Sequence, residues 1–302
     1  MIDNLGISFS NSALYVAHHS QENNGLKLVS MDIIPYPFDF KYDHFFTTNH
    51  IDSIAQLLLE FKNKKNLKKV FLYVSLPINY VVLKKIALPS EASEDIVADQ
   101  VEWELSHYLP GQLSDFKVIK TNSAFSYSDY EEVLFVCLHK QIIKGINQFA
   151  QVSQCQLKKL IVDNFALEDY LQKNVDLSES QTQMVFKIES LQMISHFFIK
   201  GRYYISYVNN IFPLKNYQYE DKLIKLLKDH HISIEKLIQQ MSLSESDALA
   251  LYAYGDALSD EIMNRLQQNI SSSITRLPAT NYPGFDVKAV GKCIEAVAAC
   301  IL

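Results

Sequence analysis

Glycine is scarce in this chain. Eight are spread over 302 residues, at Gly6, Gly25, Gly111, Gly145, Gly201, Gly255, Gly284 and Gly291, and no two adjoin. No Gly-x-Gly pair and no P-loop spacing occurs, so the usual glycine-rich cradles for phosphate are absent. Four cysteines, Cys137, Cys155, Cys293 and Cys300, stand far apart in apolar surroundings such as Val136-Cys137-Leu138. No Cys-x-x-Cys or Cys/His ligand spacing exists, which excludes the common zinc arrangements and fits buried, reduced thiols. Basic runs are also missing. The net charge is −6, and the densest cluster, Lys62, Lys64, Lys65, Lys68 and Lys69, joins a helix to a strand and reads as a solvated turn. Nucleic acid is therefore not an expected partner. No stretch of 18 apolar residues occurs, so no membrane span is expected. Met1-Ile2-Asp3-Asn4 lacks the basic start and apolar run of a signal peptide, and Cys300 is third from the end, not fourth as prenylation needs. No Gly-x-Ser-x-Gly or His-Glu-x-x-His motif appears. The pairs His18-His19 and His230-His231 diverge on any regular element, so the histidines read as surface and boundary residues and not as a metal site.

What is present is a hydrophobic content of 48% with 21% charged residues, enough for a large core. Leu5 to Ser10, Ala13 to His18 and Leu26 to Ile33 read as three strands joined by tight turns at Asn11-Ser12 and Asn23-Asn24-Gly25. A helix carries Ile51, Ile54, Leu57, Leu58 and Phe61 on one face, and Val70 to Leu76 is a strand apolar on both faces. Tyr80 to Leu88 is a strand bracketed by Pro77 and Pro89. A helix over Ser93 to Tyr108 ends at Pro110-Gly111, with Ile96, Val97, Val101, Trp103, Leu105 and Tyr108 distributed broadly around it. Strands at Phe116 to Thr121 and Val133 to His139, helix 140–152 and strand 157–162 complete this half. The second half opens with helix 164–172 and a polar linker from Asn174 to Thr182. Strands follow at Met184 to Glu189, Met193 to Ile199 and Tyr203 to Val208, the last two joined by a hairpin at Lys200-Gly201. Helices at about 219–229 and 234–241, a strand at Ala248 to Ala253, a helix at Ser259 to Asn269 and a terminal helix from Asp286 to Leu302 finish the chain. The last carries Val290, Cys293, Ile294, Val297, Ala298 and Ile301 at helical spacing and is expected to pack on the second half.

Each half thus begins with three consecutive strands on tight turns and continues into helices and further strands. That duplication predicts an α/β protein of two lobes with the actin-like, sugar-kinase architecture. The expected boundaries are 1–162 for the first lobe and 163–302 for the second.

One segment carries a family resemblance. Val74-Ser75-Leu76-Pro77, then Lys85-Ile86-Ala87-Leu88-Pro89, then Val101 to Pro110 with Glu104 and Tyr108-Leu109-Pro110, resembles the pattern of the type IV pilus assembly protein PilM family. Leu134 to His139, Ile161-Val162-Asp163-Asn164-Phe165-Ala166-Leu167 and Leu5-Gly6-Ile7 resemble other parts of it. The resemblance implies a small subdomain inserted in the first lobe at about 78–130. It also implies two phosphate-binding hairpins and an adenosine turn. The family's opening Gly-Ile-Asp-hydrophobic-Gly resembles Gly6-Ile7-Ser8-Phe9-Ser10, with the acid replaced by Ser8 and the second glycine by Ser10. Asp-hydrophobic-Gly of the second hairpin resembles Lys187-Ile188-Glu189. The adenosine turn resembles Tyr254-Gly255-Asp256-Ala257, with one glycine kept. A side chain at the closest point of approach, and a carboxylate there, oppose a triphosphate. No catalytic residue, metal or cofactor is therefore expected, and ATP or ADP with magnesium is the exception to be tested, Lys187 being the one residue suited to meet a phosphate.

By the same resemblance the chain is a cytoplasmic scaffold at the inner membrane. It would bind the cytoplasmic tail of a single-pass membrane protein, PilN-like, in a groove between the first lobe and the inserted subdomain. Tyr80, Val82, Trp103 and Tyr108 are candidate groove residues for an extended peptide, though each also reads as a core residue. The alternatives are a nucleotide-dependent or polymerising actin homologue, a small-molecule kinase on this fold, and a cytoplasmic scaffold of a type II secretion system.

Overall fold

The computed structural model describes residues 2–301 except 23–24, 92, 127–128, 176–181, 212–215, 242–248, 271–272, 279–281 and 283. The Asn23-Asn24 part of the turn between the second and third strands and most of the polar linker before Thr182 lie outside the described residues. The chain divides into two compact units, Met1–Asp163 and Asn164–Leu302.

The first unit opens with a meander, β1 (Asp3–Phe9), β2 (Ala13–Glu22) and β3 (Gly25–Pro35). Helix α1 (Thr48–Lys64) leads to β4 (Val70–Leu76). Next come β5 (Val82–Pro89), α2 (Glu94–Tyr108), β6 (Phe116–Ser126), β7 (Tyr130–His139), α3 (Lys140–Val152) and β8 (Gln156–Val162). Five of these strands form a sheet in the order β3-β2-β1-β4-β8. β1 runs antiparallel to β2 and parallel to β4. Leu5, Ile7 and Phe9 of β1, Leu72 and Val74 of β4, and Ile51, Ile54, Leu58, Ile142, Ile146 and Phe149 of α1 and α3 make one core. Lys62 is buried at the end of α1. Its ammonium donates to the Ser153 carbonyl at 2.9 Å and the Gln154 carbonyl at 2.7 Å, where α3 leaves carbonyls without helical partners. The solvated-turn reading of the lysine cluster therefore fails at Lys62.

β5, β7 and β6 form a separate three-stranded sheet. Its own core joins Ile86, Leu88, Leu105, Leu109, Phe116, Val133, Phe135 and Cys137. This insert runs to His139, beyond the expected limit of about 130, because β7 is the central strand of the small sheet and pairs with both β5 and β6. The strand expected from Tyr80 begins at Val82, after a single 3-10 turn over Ile78–Tyr80.

The second unit repeats the first. It contains α4 (Asp163–Asn174, its first residue still in the first unit), β9 (Thr182–Ile188), β10 (Gln192–Ile199), β11 (Arg202–Asn210), α5 (Asn216–Gln240), β12 (Leu249–Tyr254), α6 (Asp260–Asn269), β13 (Ile274–Arg276), α7 (Val287–Lys292) and α8 (Ile294–Ala299). Its sheet order, β11-β10-β9-β12-β13, is the first unit's order over again: an antiparallel meander extended by two parallel strands. Two expectations change. The helices expected at 219–229 and 234–241 are one continuous helix, and His230 and His231 sit inside it. The terminal helix is broken at Cys293, whose backbone leaves helical geometry at φ −115°, ψ 16°. The pattern Val290, Cys293, Ile294, Val297, Ala298 and Ile301 is nonetheless buried throughout.

The reading of the histidines as surface and boundary residues holds for His44, His50, His107 and His139 and fails for His18, His19, His196, His230 and His231, which are buried. His230 Nδ1 lies 2.6 Å from the Ser195 hydroxyl, and its Nε2 lies 2.8 Å from the Asn209 amide, so it fastens α5 to the sheet. Burial lowers the His19 imidazole to about 4. Burial, with the Lys187 charge adding to it, lowers His196 to about 3. Both groups are neutral when folded and take up a proton near pH 6.5 when unfolded, so stability present above pH 6.5 is lost as pH falls toward 4. From pH 6.5 to 5 the loss is roughly 2 kcal/mol for each histidine. Urea titrations at the two pH values check this, and a His196→Asn variant that folds shows a correspondingly smaller drop.

Candidate functional site

Each unit has one hairpin at the end of its first parallel pair, and the two hairpins correspond residue for residue. Ser8 of β1 is the last residue paired with β4, opposite Ser75. Lys187 of β9 is the last paired with β12, opposite Tyr254. Two residues on, each turn closes by the same bond. The Ser10 amide donates to the Ala13 carbonyl at 3.0 Å, and the Glu189 amide to the Gln192 carbonyl at 2.9 Å. Sheet register thus places Ser8 with Lys187 and Ser10 with Glu189, as the sequence motifs align them.

The first turn satisfies its own amides. The Ser10 hydroxyl accepts from the Ala13 amide at 3.1 Å and the Ser12 amide at 3.3 Å, and donates to the Ala13 carbonyl at 3.0 Å. The turn's two carbonyls are also taken, by the Tyr36 amide at Ser12 and the Phe40 amide at Asn11. Ser8 is buried.

The second turn is filled by charge. The Lys187 ammonium is 3.0 Å from Glu189 Oε1 and 2.9 Å from Glu295 Oε1, and all three side chains are almost wholly buried. The Tyr254 hydroxyl donates to the same Glu295 oxygen at 2.9 Å. The Gln192 side-chain amide donates to Glu189 Oε2, and the Tyr219 hydroxyl donates to the Glu189 carbonyl at 2.9 Å. Here the Lys187 ammonium faces two carboxylates, so another anion brought to this turn meets negative charge. Glu295, from α8, carried no sequence signal as a site residue. Its one hint is a lone acid in the otherwise apolar Ile294-Glu295-Ala296-Val297-Ala298-Ala299.

Gly255 stands just past β12 at φ +124°. A Cβ there would lie 2.2 Å from the Ile188 carbonyl oxygen. This glycine is required by backbone packing against the second hairpin. Asp256 follows it, and the Ala257 amide donates to Ile188 O at 3.2 Å. Among the described residues no group of three or more His, Cys, Asp or Glu side chains is arranged to hold a metal ion.

The candidate groove residues divide. Tyr80 is core, its ring 5.5 Å from Phe45 and 5.8 Å from Tyr42. Val82 packs on the small-sheet core. Trp103 and Tyr108 do not follow their reading as core: they are 62% and 52% exposed. The Trp103 ring lies 4.7 Å from His107, and Lys84 sits 4.8 Å over Tyr108 while pairing with Glu104 at 3.1 Å. Gly255→Ala adds a Cβ inside contact distance in a left-handed conformation, and an expected destabilisation of about 2–4 kcal/mol follows. Denaturant unfolding of the purified variant measures it.

The PilM family, described as type IV pilus assembly protein PilM, matches residues 6–197. No curated protein matches the chain. Among solved structures, a PilM-PilN type IV pilus biogenesis complex superposes with a TM-score of 0.68 at 13% identity, covering 98% of this chain and 97% of that one. A Bacteroides thetaiotaomicron protein with an actin-like ATPase fold gives 0.53 at 12% identity, covering 99% and 96%. The cytoplasmic domain of EpsL, an inner-membrane component of the Vibrio cholerae type II secretion system, gives 0.50 at 11% identity, covering 93% and 99%. The duplicated five-stranded sheets are those of the actin-like fold, and with well over half of its length matched the chain belongs to the type IV pilus assembly protein PilM family.

Proposed function

We propose that this protein is a cytoplasmic, non-hydrolysing actin-like scaffold of a type IV pilus-type machine. It sits at the inner membrane through the cytoplasmic tail of a single-pass, PilN-like membrane protein. The observation that carries the reading is the state of the two hairpins. In an actin-like nucleotidase these turns offer free amides to phosphate. Here the Ser10 hydroxyl occupies the Ser12 and Ala13 amides of the first turn, and Glu189 and Glu295 pair with Lys187 at the second. These residues do not fit a magnesium-bound triphosphate: carboxylates stand where phosphate oxygens would lie, and Ser8 replaces the acid that would position the metal.

The partner reading draws support from the family and from the PilM-PilN complex that the fold resembles. The inserted sheet presents α2 with Ile96, Trp103 and Tyr108 turned outward, while Val97, Val101 and Leu105 face the small-sheet core. A large exposed indole on a rigid helix is suited to anchor a peptide. Trp103 is the chain's one tryptophan, so its fluorescence reports directly on this face.

Calorimetry with ATP or ADP and magnesium is expected to show no heat. A synthetic cytoplasmic tail of a PilN-like single-pass membrane protein is expected to shift Trp103 emission, and Trp103→Ala to weaken tail binding tenfold or more, measured by anisotropy of a labelled peptide. Micromolar nucleotide binding would restore the nucleotide-switch alternative. A tail that leaves Trp103 emission unchanged and binds Trp103→Ala equally well removes α2 from the interface.

A further inference from the structure

We propose that the end of the first unit where β4 and β8 begin is a docking surface for an anionic lipid membrane. The chain as a whole is acidic, yet no Asp or Glu occurs from Phe61 to Ser90 or from Val133 to Val162. The fold brings the starts of β4 and β8 together, because these strands are parallel neighbours with Phe71 opposite Gln156. Lys64, Lys65, Lys68 and Lys69 in the turn before β4, and Lys158 near the start of β8, are exposed there. Lys65 has Asp32 at 3.4 Å. Among the described residues no carboxylate pairs with Lys64, Lys68, Lys69 or Lys158. By contrast Lys84 and Lys85 of β5 each have a glutamate at 3.1 Å. Ammoniums without carboxylates, gathered on one end of a chain of net charge −6, leave a positive field that an anionic surface satisfies.

The backbone beneath these lysines is fixed. α1 and α3 end in the same left-handed turn, with Asn66 at φ 55° and Gln154 at φ 53°. In each, the next amide bonds back across the turn, Leu67 to the Lys62 carbonyl at 3.0 Å and Cys155 to the Ala150 carbonyl at 2.9 Å. The buried Lys62 ammonium then ties the two turns together through the Ser153 and Gln154 carbonyls. The Lys69 and Lys158 ammoniums are both held beside the Phe71 ring, at 5.9 Å and 4.3 Å from its centroid. The chemistry favours a membrane over an acidic protein segment. No large hydrophobic side chain is exposed among residues 61–71 or 153–159, so a protein partner finds no apolar anchor. No arginine is present there to grip a carboxylate with two parallel bonds. Every cation of the surface is a lysine, a hydrated point charge suited to a plane of headgroups. The surface lies at the opposite end of β1 from the first hairpin, since Asp3 pairs with Val70 there and Ser8 with Ser75 at the other end. The inference goes beyond the scaffold reading and does not depend on the partner tail.

The test is adsorption of the full chain to vesicles. Cosedimentation is measured with vesicles of phosphatidylcholine alone and of phosphatidylcholine with about 30% phosphatidylglycerol, in about 0.05 M and about 0.5 M sodium chloride. The wild-type protein is expected to sediment with the anionic vesicles at low salt, to be released at high salt and to ignore the neutral vesicles. Each lysine near an anionic surface strengthens adsorption about fivefold, so Lys68→Gln/Lys69→Gln/Lys158→Gln is expected to weaken it about 100-fold. Lys225→Gln/Lys228→Gln/Lys236→Gln, at exposed positions of α5, removes the same charge from the second unit and is expected to bind as the wild type does. Wild-type protein that stays in solution with anionic vesicles at low salt overturns the inference. So does an equal loss in the two triple variants, which assigns the effect to net charge. A labelled oligoglutamate read by anisotropy covers the acidic-segment alternative. Binding to it that depends on Lys68, Lys69 and Lys158, without vesicle adsorption, overturns the membrane assignment in favour of an acidic protein partner.

Discussion

A buried ammonium is the constraint on which the second unit turns. Lys187 lies within the sheet, where an unpaired charge costs several kcal/mol even after relaxation. The residues around it answer that cost. Glu189 bends back from the hairpin, Glu295 arrives on α8, and Tyr254 and Gln192 hold the carboxylates. His196, on the neighbouring strand, is kept neutral by burial and by the same positive charge.

The first unit reaches the same end by neutral chemistry. Ser10 takes the position of Glu189 and closes its turn with a single hydroxyl that accepts two amides and donates to one carbonyl. The two hairpins thus share geometry but not chemistry. In the first, the Ser10 hydroxyl bonds the Ser12 and Ala13 amides; in the second, buried charged side chains fill the turn. This gives the poverty in glycine a physical meaning. Glycine is needed where a ligand must approach backbone; where a side chain performs the closure, an ordinary residue suffices.

The meanders, the buried parallel strands and the duplication were legible because each rests on local pattern: alternation, turn residues and apolar runs. The correspondence of Ser8 with Lys187 and of Ser10 with Glu189 was legible too, because the motifs fix their order and the sheet register fixes their place. Long-range chemistry was not. Glu295 is 108 positions from Lys187 (295 − 187), and no periodicity signals that a buried acid will find a lysine so distant. The continuity of α5 was missed because His230, His231 and Ser233 interrupt the apolar stripe, yet His230 is consumed by Ser195 and Asn209 of the sheet. Trp103 was misjudged for a related reason. A broad apolar distribution around α2 suggests burial on all sides, whereas a three-stranded sheet covers one face of a helix and leaves the other open.

Gly255 shows why a retained motif residue is weak evidence for a retained ligand. It survives in the segment that resembles an adenosine turn, but the Ile188 carbonyl leaves no room for any Cβ. The demand comes from a backbone crossing intrinsic to the fold, where β12 passes the end of β9 and the Ala257 amide bonds Ile188 O. A glycine required by such a crossing persists whether or not a nucleotide binds.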